Sequence, residues 1–167
     1  FCLNLGLTYL RTRRESESAL PFPNQDLAAL TGSLPFQLTQ AQRRAIDEAA
    51  ADLHKPTPMS RLLQGDVGSG KTVVAAACAL FAYQNGCQAA FMAPTGLLAR
   101  QHQATLETLL RQAGLRVALL TGSMTPAQKR QATAALAAGE IDLVVGTHAL
   151  LSEGVQFARL GLVITDE

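Results

Sequence analysis

The sequence predicts an α/β fold, an open, doubly wound parallel sheet with helices on both faces. Three observations predict it. Short apolar runs alternate with helix-periodic stretches from about residue 40 onward, the β-α rhythm of such a sheet. The runs at 88–93, 142–145 and 162–165 are continuous with little polar alternation, as strands covered on both faces are. Finally, "GDVGSGKT", Gly65 to Thr72, falls between one apolar run and a helical stretch, where a loop that holds phosphate belongs.

Each element has its own local reason. Leucines at 3, 7 and 10, ahead of a basic-then-acidic stretch, predict a helix over Cys2–Ser18, broken by Pro21-Phe22-Pro23. A short helix over Gln25–Leu30 is expected to end near Gly32. Helix Gln40–Leu53 leads to a strand at Arg61–Gln64, then to the glycine-rich loop and helix Lys71–Gln84. Strand Gln88–Ala93 precedes helix Leu97–Ala113, which Gly114 ends, and strand Val117–Thr121 precedes helix Pro126–Ala138, which Gly139 ends. Strands Asp142–Val145 and Leu162–Thr165 complete the sheet. The expected organisation is a helical linker over residues 1–33 and a sheet domain over 34–167.

Bulk properties exclude several classes. A chain of 167 residues, 48% of them hydrophobic, can bury one sizeable core. The longest apolar stretch, Val73–Ala82, is too short to span a bilayer, so no membrane is expected. Arg11, Arg13 and Arg14 follow the first apolar residues instead of preceding them, unlike a secretory signal, and read as a solvated helix face. Cys2, Cys78 and Cys87 are odd in number and mutually distant, which favours a reducing cytoplasm. A net charge of +1 gives no global pull toward nucleic acid. Because the chain starts at Phe1 and stops at Glu167 inside an apolar strand pattern, a piece of a longer protein is expected.

In doubly wound sheets ligands gather at the carboxyl ends of the strands. In Gly65-Asp66-Val67-Gly68-Ser69-Gly70-Lys71-Thr72 the glycines permit tight turns, so that successive N–H groups face phosphate oxygens. The helix from Lys71 adds its positive dipole end. Lys71 would reach the β- and γ-phosphates, and the Thr72 hydroxyl would ligate Mg²⁺. At the last strand end, Asp166 suits a magnesium site and Glu167 a general base, although acidic residues are also common in plain strand-to-loop turns. Upstream, Gln42 suits the edge of adenine and Phe36 its face, whereas Thr39-x-x-Gln42 is equally a helix capping box. One glutamine is not expected to serve both roles fully. Pro94-Thr95, Thr121-Gly122 and Thr147-His148 offer hydroxyls and backbone groups suited to nucleic-acid phosphates. Each also has an ordinary reading as a cap or turn. His54, His102 and His148 lack ligand spacing, and His102 is expected on the surface.

"LPFQLTQAQ", "LLQGDVGSGKTVVAA", "MAPTGLLARQH", "LLTGS", "VVGTHALL" and "LGLVITDE" occur in the order of the superfamily 2 helicases. Their wording resembles the RecG family, bacterial ATP-dependent DNA helicases that remodel stalled forks, over about Leu34 to Glu167. The resemblance implies a RecA-like P-loop NTPase domain with ATP and Mg²⁺ as cofactors and branched or double-stranded DNA as partner. Phe36 and Gln42 then correspond to the adenine motif and Gly68 to Thr72 to the phosphate loop. Asp166 and Glu167 correspond to the start of the acidic box, and Pro94, Thr95, Thr121, Gly122, Thr147 and His148 to strand-tracking positions. It further implies a monomer with a second RecA-like lobe and a wedge domain in the same chain. Gly96 and Arg100 depart from the family's usual glutamates, and Thr165 replaces a usual aliphatic. A transcription-repair coupling factor is the alternative within the superfamily. Outside it, the alternatives are a small-molecule kinase, for which no arginine-rich lid is evident, and a module that binds nucleotide without turnover.

Overall fold

Threonines mark three of the helix starts. The computed structural model describes residues 19–166, so the helix expected over Cys2–Ser18 lies outside the described residues, as does Glu167. Helices α1 (Ala28–Ser33), α2 (Gln40–Leu53) and α3 (Lys71–Gln84) precede strand β1 (Gln88–Met92). Then come α4 (Gly96–Leu110) with a 3-10 turn at Arg111–Ala113, β2 (Val117–Leu120), α5 (Pro126–Ala137), β3 (Leu143–Gly146), a 3-10 turn at His148–Leu151, and β4 (Leu160–Thr165). Thr39, Thr95 and Thr125 each accept a backbone N–H of the first turn, of α2, α4 and α5 respectively. Thr39 with Gln42 and Thr125 with Gln128 form complete capping boxes, and Pro126 opens α5. Gly114 and Gly139 stop the chain in the left-handed region after the 3-10 turn and after α5.

Two expectations need correction. The first helix starts at Ala28, not Gln25, because Asp26 is committed elsewhere. Its N–H and C=O bond the Gln84 side chain, and its carboxylate accepts the Ala28 N–H at 2.8 Å. The strand expected at Arg61–Gln64 does not form. An apolar run becomes a strand only beside a backbone that offers a ladder, and none of the four strands pairs with it. Leu62 is instead 81% exposed, and Arg61 is tied to Glu48 and Asp52 of α2.

All pairings in the sheet are parallel, in the order β2-β3-β1-β4. Ala89 and Phe91 of β1, with Leu143 and Val145 of β3, enter the larger core beneath α2, α3 and α4. Ala90 and Val144 enter a second core with Leu120, Leu136 of α5 and Leu150. Both faces of the sheet are therefore covered. α3 explains its own composition, since nine of its residues, from Val73 to Ala82, are buried around the helix. Among the described residues no helix is long and apolar enough to cross a membrane.

Residues 19–33 share the larger core. Phe22 and Leu30 are fully buried in it, and the Phe22 N–H bonds the Leu53 carbonyl at 2.8 Å. A Cβ on Gly161 of β4 would lie 2.9 Å from Phe22 Cζ, so the ring sits against the sheet. Phe22→Ala is expected to destabilise the fold by about 3–5 kcal/mol, the cost of emptying an aromatic core site. Urea denaturation followed by circular dichroism measures it, and a loss within about 0.5 kcal/mol would show that the segment merely rests on the surface.

Candidate functional site at the carboxyl edge of the sheet

Because the strands are parallel, Met92, Leu120, Gly146 and Thr165 all end at one edge. α3 packs against β1 and β4, and only three residues separate its end from the start of β1, so it runs back against the strand direction. Its N-terminus, with the glycine-rich loop, therefore stands at that same carboxyl edge. Gly70 caps α3 with φ +82°, and Gly68 has the same φ, a conformation that strains any residue with a Cβ. A Cβ on Gly65 would lie 2.7 Å from Ser69 Oγ, and one on Gly70 would run into the Gln42 amide. The side chains of Ser69 and Gln42 thus press against the loop glycines, beside the open N–H groups of α3.

Inside the loop Lys71 Nζ donates to the carbonyls of Gly65 (2.6 Å) and Asp66 (3.0 Å), and the Ser69 N–H donates to the Asp66 carbonyl. These carbonyls place the ammonium at the centre of the cradle, where an anion would meet it. Val67 projects into solvent, and Thr72 lies half-buried in the first turn of α3. Gln42 joins α2 to the loop: Oε1 accepts the Thr39 N–H at 3.0 Å, and Nε2 donates to the Ser69 carbonyl at 2.9 Å. A carboxamide offers two donors and two lone pairs. Capping and loop contact leave one of each. Phe36 is 49% exposed.

At the strand ends, Pro94, His148 and Asp166 line one cleft together with Met92, Ala93 and Thr165. Thr95 caps α4, which makes Gly96 the first helical residue and not an interior one, where glycine would cost more. Thr121 is 1% exposed, its hydroxyl 3.2 Å from that of the exposed Ser123. Gly122 accepts Lys129 Nζ at 2.8 Å, and Arg100 donates to Ser123 Oγ at 3.1 Å. Thr147 leads into the 3-10 turn. Thus Arg100 links α4 to the loop after β2, and two cations collect where the net charge gave none to expect.

His102 is not the surface residue expected. Its side chain is 16% exposed, its ring lies 4.8 Å from that of Phe91, and Nε2 bonds Asp166 Oδ2 at 2.8 Å. The signal was present in the sequence: His102 falls between Ala99 and Leu106, on the buried stripe of α4. Among the described residues the two cysteines, Cys78 and Cys87, are buried and unpaired. Burial pushes the Cys78 thiol up to about 11 and raises that of Cys87, so both stay protonated at neutral pH.

The sequence pattern of the DEAD/DEAH box helicase family matches residues 39–167. A Synechocystis sp. protein named ATP-dependent DNA helicase RecG is 49% identical over 170 residues, covering 100% of this chain and 20% of that protein. The Streptococcus pneumoniae protein of the same name is 49% identical over 170 residues, covering 100% of this chain and 25% of its own length. A solved structure of RecG bound to a three-way DNA junction superposes with a TM-score of 0.88 at 45% identity, covering 99% of this chain and 23% of that one. The chain therefore spans between a fifth and a quarter of the length of these relatives.

Proposed function

This chain belongs to the DEAD/DEAH box helicase family, and from that premise we propose that it is the ATP-binding motor lobe of a RecG-type DNA helicase acting on branched DNA. The observation that carries the reading is the Gly65–Thr72 loop. It has left-handed glycines at 68 and 70 and a central Lys71, on the sheet edge that also bears Asp166 and the Pro94–His148 cleft. Relatives named RecG, one solved on a three-way junction, support the DNA substrate. Replication-fork and junction remodelling in the cytoplasm is the setting this implies.

The residues present fit Mg-ATP. The Gly68–Gly70 backbone and the first N–H groups of α3 would hold phosphate oxygens, and Lys71 would exchange the carbonyls of Gly65 and Asp66 for the β- and γ-phosphates. Thr72 and Asp166 would hold the magnesium, and Glu167 would orient and deprotonate the attacking water. Phe36 would stack on the base, while the free donor and lone pair of Gln42 meet N7 and the 6-amino group. Bound Mg-ATP supplies the phosphoanhydride whose hydrolysis drives movement along DNA. For the strand itself, Thr95, Gly122, Ser123, Thr147 and the first turn of α4 present hydroxyls and N–H groups, reinforced by Arg100 and Lys129. The buried Thr121 acts through Ser123. A second RecA-like lobe would supply an arginine finger worth roughly 10³–10⁵ in rate, so turnover belongs to the two-lobed protein, with a wedge domain meeting the branch.

Lys71→Ala is expected to weaken Mg-ATP binding while leaving the circular dichroism spectrum unchanged. Isothermal calorimetry decides, and undiminished affinity in a folded variant would remove Lys71 from the site. Gln42→Glu keeps the acceptor that caps α2 but loses both amide donors, the one to the Ser69 carbonyl and the one free for adenine, so α2 should stay capped while the loop loosens and the preference for ATP over GTP falls. If the preference survives, Gln42 only caps the helix and braces the loop. In the full-length protein, Glu167→Gln should bind ATP nearly normally yet lose DNA-stimulated hydrolysis by about 10²-fold or more. Asp166→Asn should instead weaken the magnesium-dependent part of nucleotide binding. Identical phenotypes for the two would refute the division of labour.

A further inference from the structure

Asp166 is held at two points. Its backbone N–H donates to the Met92 carbonyl at 2.9 Å, extending the β1–β4 ladder by one residue. Its carboxylate is held by His102, which reaches it from a different element, α4. The imidazole packs, tilted by 42°, against the ring of Phe91, a buried residue of β1, at 4.8 Å between ring centroids. An ionised carboxylate accepts hydrogen bonds only, so the 2.8 Å contact runs from Nε2–H to Oδ2. The bond to His102 uses one of the roughly four lone pairs of the carboxylate, so acceptor sites remain for a ligand at this edge. A packed ring that donates to one oxygen of a carboxylate selects the rotamer of that carboxylate, the usual means of fixing a metal-binding acid before the metal arrives.

We propose that His102 is a positioning residue for the magnesium site: it holds Asp166 in the rotamer that receives the ion. The proposal rests on the reading of Asp166 as a metal-binding carboxylate, and its test separates the two. Its content is specific, because α4 otherwise contributes packing residues here, Ala99, Leu106 and Leu110. A histidine that merely filled space on this stripe would be replaceable by leucine.

The test is equilibrium ATP binding by the full-length protein, with Mg²⁺ and with EDTA, read by calorimetry. His102→Leu should lose about tenfold of the affinity gained from Mg²⁺, with metal-free binding unchanged. His102→Gln should recover most of that gain, since its amide N–H can donate in place of Nε2–H. In an Asp166→Asn background, His102→Leu should cause no further loss. Equal losses with and without Mg²⁺, or no recovery in His102→Gln, would overturn the proposal. A wild type indifferent to Mg²⁺, or an Asp166→Asn that keeps the full gain, would overturn the metal reading of Asp166 and this proposal with it. Wild type and Asp166→Asn behaving as expected beside an unchanged His102→Leu would overturn the role of His102 alone. If His102→Leu does not fold, His102→Asn and His102→Gln decide instead. The shorter amide should lose the gain and the longer keep it, and equal behaviour of the two would overturn the proposal.

Discussion

Residues 89–92 hydrogen-bond in parallel to β3 on one side and to β4 on the other, and this double ladder sets the geometry of the whole edge. Alternate side chains of the strand enter opposite cores, Ala89 and Phe91 one and Ala90 the other, so a shift of one residue would exchange the two faces. The same register puts Met92 beside Gly146 and Thr165. It thereby brings Pro94, His148 and Asp166, distant in sequence, around one cleft. Phe91 also backs the ring of His102, so the central strand supports both the fold and the acid at its edge.

The glycine-rich loop shows how a polar site is kept ordered by its own backbone. Lys71 is satisfied by two loop carbonyls, and Gln42 by the Thr39 N–H and the Ser69 carbonyl. Lysine near a carbonyl cage keeps part of its hydrogen bonding without a partner ion, and an arriving phosphate offers the same donor a charged acceptor, a stronger bond. Such an exchange leaves no buried group unsatisfied at either end, which is the condition for binding without local unfolding. Gln42 ties this loop to α2, whose other end holds Arg61 through Glu48 and Asp52. Those pairings hold both carboxyls below their usual range: Asp52 through Lys55 first and then Arg61, Glu48 through Arg44 and then Arg61.

The near-neutral charge of the chain is compatible with the proposed strand-tracking edge, which would rely on position more than on charge. Helix starts and hydroxyls cluster there, and Arg100 and Lys129 supply cations where two loops meet. Arg100 spans from α4 to the loop after β2, where its guanidinium donates to Ser123 Oγ.

The sequence by itself determined what depends on near neighbours. Thr39, Thr95 and Thr125 start helices because a side chain reaches a backbone N–H three residues on, and Gly114 and Gly139 end elements because only glycine turns left-handed without strain. The loop from Gly65 to Thr72, and the acid at the end of β4, were readable for the same reason. Tertiary structure alone decided the rest. Arg61–Gln64 has a strand's composition but no ladder partner among the described strands, and α1 starts late because Asp26 is bound by Gln84, far along the chain. The buried stripe of α4 already turned His102 inward, but only the packing of α4 on the sheet brought it to Asp166 at the end of β4. A hydrogen bond between residues 64 positions apart leaves no mark on local periodicity. It exists only because strand pairing and helix packing have already brought the two groups together.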